Sequence, residues 1–260
     1  MTTGDEWMES ALKFISTNDG RFLIDARMNC PNDEIRALLV RLPANPPPPD
    51  ELKQLSDRSR RAGRLREAEV IDMVGLTPLA NLIRASDERT AQFGLDVSWH
   101  LLEVSRQHEF SECRARFSYL LGDFMYRNGD YRQAREFLTE SDCCYSALWK
   151  FDAMTYSHPL AHLSDTLGRL HADLKEFSQA HRHLSRAIVL FRDLTALRPP
   201  EYARPLATVL NNLGSILGEL RQHSEALRVL QEAEDLLRGA GDQESKSVLA
   251  AVLSNKGHVL

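Results

Sequence analysis

Nine histidines and four cysteines are the residues of this 260-residue chain best suited to hold a metal or attack a carbonyl. Their spacing argues against both. His158 and His162 stand four apart, which places two imidazoles on one helical face, but no cysteine or carboxylate completes a ligand set nearby, and Pro159 puts His158 at a helix boundary. His181 and His183 are two apart and face nearly opposite sides of a helix. A cysteine nucleophile needs its thiolate beside an imidazole, on a scaffold with strands and shaped loops. Cys143 and Cys144 lie instead in the helical stretch TESDCCYSALW, and with Cys30 and Cys113 they read as buried or half-buried thiols. RGAGDQE follows a helix where a dinucleotide loop would follow a strand, and neither a phosphate loop nor His-Glu-x-x-His occurs. The expectation is a chain with no catalytic residue, no metal and no cofactor.

The elements that carry these residues are helices. Leu, Ala, Arg, Glu and Ser dominate, and alternating β-branched runs are nearly absent, so an all-α fold is predicted. The net charge is −5 with both signs interspersed, which argues against nucleic acid as a partner because phosphate binding depends on clustered Lys and Arg. The start MTTGDEWMESALKF carries acids where a secretory signal carries bases, and no apolar run approaches the ~20 residues of a membrane helix. A cytoplasmic location away from membranes is expected.

Sliding the chain against itself reveals a repeat. Gly122, Gly168 and Gly214 stand 46 apart, and so do Ala134, Ala180 and Ala226; Pro159-Leu160-Ala161 returns as Pro205-Leu206-Ala207. Each unit reads as two helices. The first is predicted to start at its proline, which suits a first turn where the missing N–H would have had no partner. The second carries an apolar stripe such as Phe177, Ala180, Leu184, Ala187, Ile188 and Phe191. Gly168 and Ala180 are small where the two helices must cross closely. A mid-helix glycine costs about 1 kcal/mol against alanine, so its recurrence implies a packing reason.

The order Leu-Gly, turn, aromatic or apolar residue, Ala, Leu, Ala resembles the tetratricopeptide repeat. The plainest instance is LLGDFMYRNGDYRQAREFL, with Gly122, Gly129, Tyr131, Ala134 and Leu138 at the signature positions. Leu167, Gly168, Phe177, Ala180, Leu184 and Ala187 match in the second unit, and Leu213, Gly214, Ala226, Leu230 and Ala233 in the third. Lys175 and Arg221 replace the turn glycine, and His223 replaces the aromatic. The period also exceeds the one usual for the family. The excess is assigned to a longer second helix plus the loop RDLTALRPPEYARP, a long form similar to kinesin light chain and related bacterial repeats.

The resemblance implies a right-handed α-α superhelix over residues 114–260, with repeats near 115–148, 161–194 and 207–240 and a partial fourth from 250. Upstream, residues 1–44 read as two or three short helices, 45–50 as a proline-rich linker, and 51–113 as an irregular helical region. That region holds a degenerate repeat with Leu55, Gly63, Leu65 and Ala68 in register, but Asp72 and Gly75 where Leu and Ala are wanted. One longer helix is expected over 87–107, with Phe93, Val97, Leu101 and Val104 on one stripe.

The resemblance also implies that first helices line a ligand groove. By register its residues are Arg116, Tyr119, Asp123 and Arg127, then Asp165 and Arg169, then Asn212 and Ser215, then Asn255, with Tyr126, His162, Asp173, Thr208, Asn211, Glu219, Ser254 and His258 on the same side. Asn is a poor mid-helix residue, and Asn212 and Asn255 hold equivalent places in LATVLNNLGSIL and LAAVLSNKGHVL. The expected function is a non-catalytic scaffold that binds a peptide or partner domain along this groove. The alternative is the sensory or regulatory arm of a larger effector whose catalytic domain lies beyond residue 260. LAAVLSNKGHVL reads as the first helix of a fourth unit whose second helix lies outside the chain, which leaves an apolar strip and invites self-association.

Overall fold

The computed structural model describes residues 6–17, 20–41, 49–85, 88–107, 110–238 and 242–260, and all regular structure among them is helical, with no strand. The chain divides into two units, residues 1–144 and 145–260. Among the described residues no helix is long and apolar enough to cross a membrane.

The first unit contains α1 (Glu6–Thr17), α2 (Gly20–Asn29), α3 (Asp33–Arg41), α4 (Pro49–Arg61), α5 (Leu65–Ala80), a 3-10 turn (Asn81–Arg84), α6 (Glu88–Gln107), α7 (Ser111–Arg127) and most of α8 (Tyr131–Phe151). Trp7, Met8, Ala11, Leu12 and Ile15 recur at helical spacing on α1 and are buried in one core with Leu23, Ile35, Ile71, Met73 and Phe117. The short helices expected before residue 44 are therefore present, while most of the proline-rich linker lies outside the described residues. On α6 the inward face is not the expected stripe. Leu101 is buried, Val97 and Val104 are half-buried, and Phe93 is 49% exposed, whereas Gly94, Ser98, Leu102 and Ser105 face inward. Small residues win this face because α6 runs close to its neighbour: Ser98 Oγ donates to Gly94 O and lies 3.4 Å from Ala80 O.

Helices α4 and α5, where a degenerate repeat is expected, pack together across a turn in which Gly63 takes φ +75°. Ala68, five residues on, is fully buried, as are Ala134, Ala180 and Ala226 five residues after the equivalent turn positions. Asp72 is not a defect in this pair. The Ser56 hydroxyl donates to the Asp72 carboxylate at 2.8 Å, with Arg60 donating from the other side at 2.6 Å. A polar clasp replaces the glycine and leucine that occupy the same two places in the clear repeats.

Those clear repeats share one lock. A Cβ added to Gly122 would lie 2.7 Å from Leu138 Cγ; at Gly168 it would lie 2.5 Å from Leu184 Cδ2, and at Gly214 2.6 Å from Leu230 Cδ2. Each leucine follows its glycine at the same interval along the chain and is fully buried. The recurring glycine is therefore a socket for a leucine of the paired helix, and its backbone freedom is secondary.

The second unit holds the end of α8, then α9 (Ala153–Asp173), α10 (Phe177–Leu197), α11 (Pro199–Glu219), α12 (His223–Leu237) and α13 (Gln243–Val259), packed as sequence-adjacent pairs. Two points differ from expectation. Pro159 and Pro205 lie inside α9 and α11, each at the seventh residue, and do not start them. The starts lie earlier because Asp152 caps α9, accepting from the Thr155 N–H at 3.1 Å, and because Pro199-Pro200 already occupy the first turn of α11. The long period is accordingly filled by helix: α9 and α10 have 21 residues each, with a short turn between them and the single residue Arg198 before α11. The expected long loop is absent.

The turns account for Lys175 and Arg221 standing where glycine is expected. Gly129 takes φ +80°, and the residues that replace it in the next two units adopt the same left-handed conformation, Lys175 at +60° and Arg221 at +59°. Left-handed backbone costs a side-chain-bearing residue roughly 1–2 kcal/mol, partly offset by glycine's greater freedom in the unfolded chain. Arg221→Gly and Lys175→Gly are each expected to stabilise the protein by about 0.5–1 kcal/mol. Lys175 loses its place 5.9 Å above the Phe177 ring, so its gain should be the smaller. Urea unfolding midpoints check both, and a fall at Arg221→Gly would show that the turn has another source of stability.

Candidate functional site

In the second unit, side chains of α9, α10 and α11 meet at a cleft of about 220 Å³. It is lined by His162 and Asp165 of α9, Phe191 of α10, and Arg204, Pro205, Thr208 and Val209 of α11. The long first helices build this cleft: Arg204 and Pro205 come from the extra turns that the long period adds before Leu206. The His162 ring packs edge-on to Phe191 at 5.0 Å and to His158 at 4.7 Å, and His158 packs edge-on to Tyr202 at 5.6 Å. His158 is thus inside α9, on the same face as His162, and not at a helix boundary. The pair forms part of an aromatic wall. Among the described residues no group of three His, Cys, Asp or Glu side chains could hold a metal.

Asp165 is the acid of the cleft. Its side chain is only 16% exposed. Burial pushes its carboxyl above the ordinary range, against the opposing pull of the Arg169 guanidinium 3.4 Å away and of the Asn212 amide, which donates to it at 3.0 Å. Asn255 of α13 makes the equivalent bond one unit later, donating to Asn211 at 2.9 Å. The second helices repeat a contact too: Arg186 donates to Ser146 at 3.4 Å, and at the same two positions one period later Arg192 donates to Glu232 at 2.8 Å. Asn212 and Asn255 therefore tie consecutive first helices together. Each keeps hydrogen-bonding capacity for a ligand, but neither is a spare polar group. Arg169 is half-buried and Ser215 exposed on the same side.

The first-unit residues of the expected groove are placed differently. Arg116 is buried and donates to Asn81 Oδ1 at 2.8 Å. Asp123 is buried between Arg84 at 3.7 Å and Arg127 at 3.3 Å. Tyr119 is half-buried, and Arg127 is exposed. The 3-10 turn Asn81–Arg84 supplies two of these partners, so this part of α7 faces the chain's own elements.

Burial raises Cys113 well above the usual thiol range and raises Cys30 and Cys144 as well. Cys143 is exposed, not half-buried as its helical setting suggested.

No family model matches the chain, and no curated protein matches it significantly in sequence.

Proposed function

We propose that the chain is a non-catalytic protein-interaction scaffold of tetratricopeptide type, and that it binds an extended peptide or a segment of a partner on the first-helix side of its second unit. The observation that carries this reading is the cleft between α9 and α11. It is lined mostly by first-helix side chains, with Phe191 of α10 closing one side, and it is large enough for one side chain of a ligand. The repeated glycine-leucine sockets, the left-handed turns at fixed intervals and the recurring ties between consecutive first helices support a right-handed α-α superhelix, in which such side chains fall on one inner surface. Within that surface we assign ligand contact to Asp165, Arg169, Thr208 and Ser215, with Asn212 and Asn255 shared between ligand and scaffold. Arg116 and Asp123 are left out because their groups are spent inside the chain.

The test starts with capture of partners by the immobilised chain and their identification, followed by affinity measurement on variants. Arg169→Ala combined with Thr208→Arg, which removes a cation and fills the cleft, should weaken binding at least tenfold, or about 1.4 kcal/mol. Arg182→Ala with Arg228→Ala, exposed on second helices, should change it little. A partner sensitive to the second pair and indifferent to the first would place binding on the opposite surface.

A further inference from the structure

Asp165 carries a charge that its structural task does not require. The side chain is 16% exposed, and as a carboxylate it offers about four lone-pair sites. Among the described residues one hydrogen bond reaches it, from the Asn212 amide at 3.0 Å. The Arg169 guanidinium, 3.4 Å away and 40% exposed, adds an ion pair along the same helix. A pair of that kind contributes little beside the cost of taking a carboxylate out of water, and burial outweighs both partners in raising the pKa of the acid. The next unit performs the same structural task without a charge. Asn211 stands 46 residues after Asp165 and accepts from Asn255 at 2.9 Å in the equivalent tie between first helices. An amide is enough to hold consecutive first helices together, so the carboxylate at 165 has acceptor capacity and charge to spare, and it lines a cleft.

The rest of the cleft says what would use them. Phe191, Pro205 and Val209 give it apolar walls. The Thr208 hydroxyl donates to Arg204 O at 3.0 Å, which leaves its oxygen able to accept. Arg204, the cation among the lining residues, is ion-paired with Glu244 of α13. Apolar walls that lead to a buried acid fit a side chain with an apolar stem and a cationic head. We propose that the cleft receives a lysine or arginine side chain of the bound peptide, its stem against Phe191, Pro205 and Val209 and its head donating to Asp165. This assignment rests on the groove reading and names the chemistry of its ligand. It makes Asp165 the specificity-determining residue of the second unit, with Thr208 as a further acceptor beside it.

The probes are fluorescent nonapeptides with randomised neutral residues around one central position, which holds Lys, Arg, norleucine or Glu. Binding to the full chain is measured by anisotropy, and amide shifts of the isotope-labelled chain around His162, Asp165 and Thr208 locate the peptide. The Lys and Arg peptides should bind at least tenfold more tightly than norleucine, which keeps the stem and lacks the charge, and Glu should bind most weakly. Asp165→Asn should abolish this preference and leave the melting temperature nearly unchanged, because asparagine already serves at 211. Thr208→Arg keeps Asp165 but puts the chain's own guanidinium in the cleft, and it should abolish the preference too; it tests the proposal even where Asp165→Asn fails to fold. Glu225→Gln removes the same charge from an exposed position on α12 and should leave the preference intact. Equal affinity for Lys, Arg and norleucine peptides at the cleft would overturn the proposal, as would a folded Asp165→Asn chain that keeps the preference. A loss as large at Glu225→Gln would also overturn it, by tracing the preference to the net charge of −5. Those three results leave the groove reading standing, whereas amide shifts that never involve the cleft, with any peptide, would remove both.

Discussion

Leu184→Ala is expected to destabilise the second unit by about 2–5 kcal/mol, the cost of a fully buried leucine plus the cavity it leaves. The cavity should not collapse easily, because its floor is the backbone of Gly168 and its walls belong to two 21-residue helices. The reciprocal change tests the same socket from below. Gly168→Ala gains about 1 kcal/mol of helix propensity, but its methyl group would lie 2.5 Å from Leu184 Cδ2. Overpacking of about 1–3 kcal/mol should outweigh the gain. Combining the two lets the new methyl group occupy space the leucine has vacated, so the double variant should be more stable than the sum of the single losses by about 1 kcal/mol or more. Urea unfolding of the four proteins measures this coupling. Additivity within about 0.5 kcal/mol, the behaviour of independent sites, would show that the two side chains do not share one socket.

That lock was legible in the sequence because it depends on identity at a fixed interval. Gly122, Gly168 and Gly214 announce a close crossing by residue type alone, and the leucine that fills each socket keeps its distance along the chain. Helix limits were less legible. A proline is compatible with a first turn, but the cap decides where the helix starts, and Asp152 and Pro199 act well before the prolines that drew attention. Asp72 looked like a lapse in the pattern because the family pattern records only which residue is usual. Its meaning came from Ser56, whose hydroxyl turns an apolar lock into a polar one.

The candidate groove shows the same division. Register placed Asp165, Arg169 and Thr208 on one side of the second unit, and the cleft includes two of them, Asp165 and Thr208. It could not foresee that Asn81 and Arg84, on a turn two elements upstream, would claim Arg116 and Asp123. Long-range pairing of that sort leaves no periodic trace. The asparagines are an intermediate case: their recurrence suggested ligand contact, and the task visible in the structure is the bond between neighbouring first helices.

Glu140 is expected to give the first unit an acid-sensitive joint. Its carboxylate on α8 accepts from Arg106 of α6 at 3.0 and 2.5 Å and from Arg114 of α7 at 2.6 Å, and its side chain is 13% exposed. Burial alone would raise its pKa, but the hydrogen bonds and charges of the two guanidinium groups outweigh burial and hold it below the ordinary glutamate value. A carboxyl whose pKa is depressed by folding contributes stability that is complete above its unfolded value, about 4.3, and is lost as pH falls through the folded value. Glu140→Gln should therefore cost about 2 kcal/mol at pH 7, below the sum of three charged hydrogen bonds because Arg106 and Arg114 are 36% and 45% exposed and water takes up the freed donors. The difference between the two proteins should shrink steadily below pH 4.5, since protonation then removes the same charge from the wild-type chain. The measurement is the urea midpoint of each protein from pH 7 to pH 3. A gap that stays constant across this range would mean that the glutamate acts by shape alone, and that the two arginines are held in place by something other than its charge.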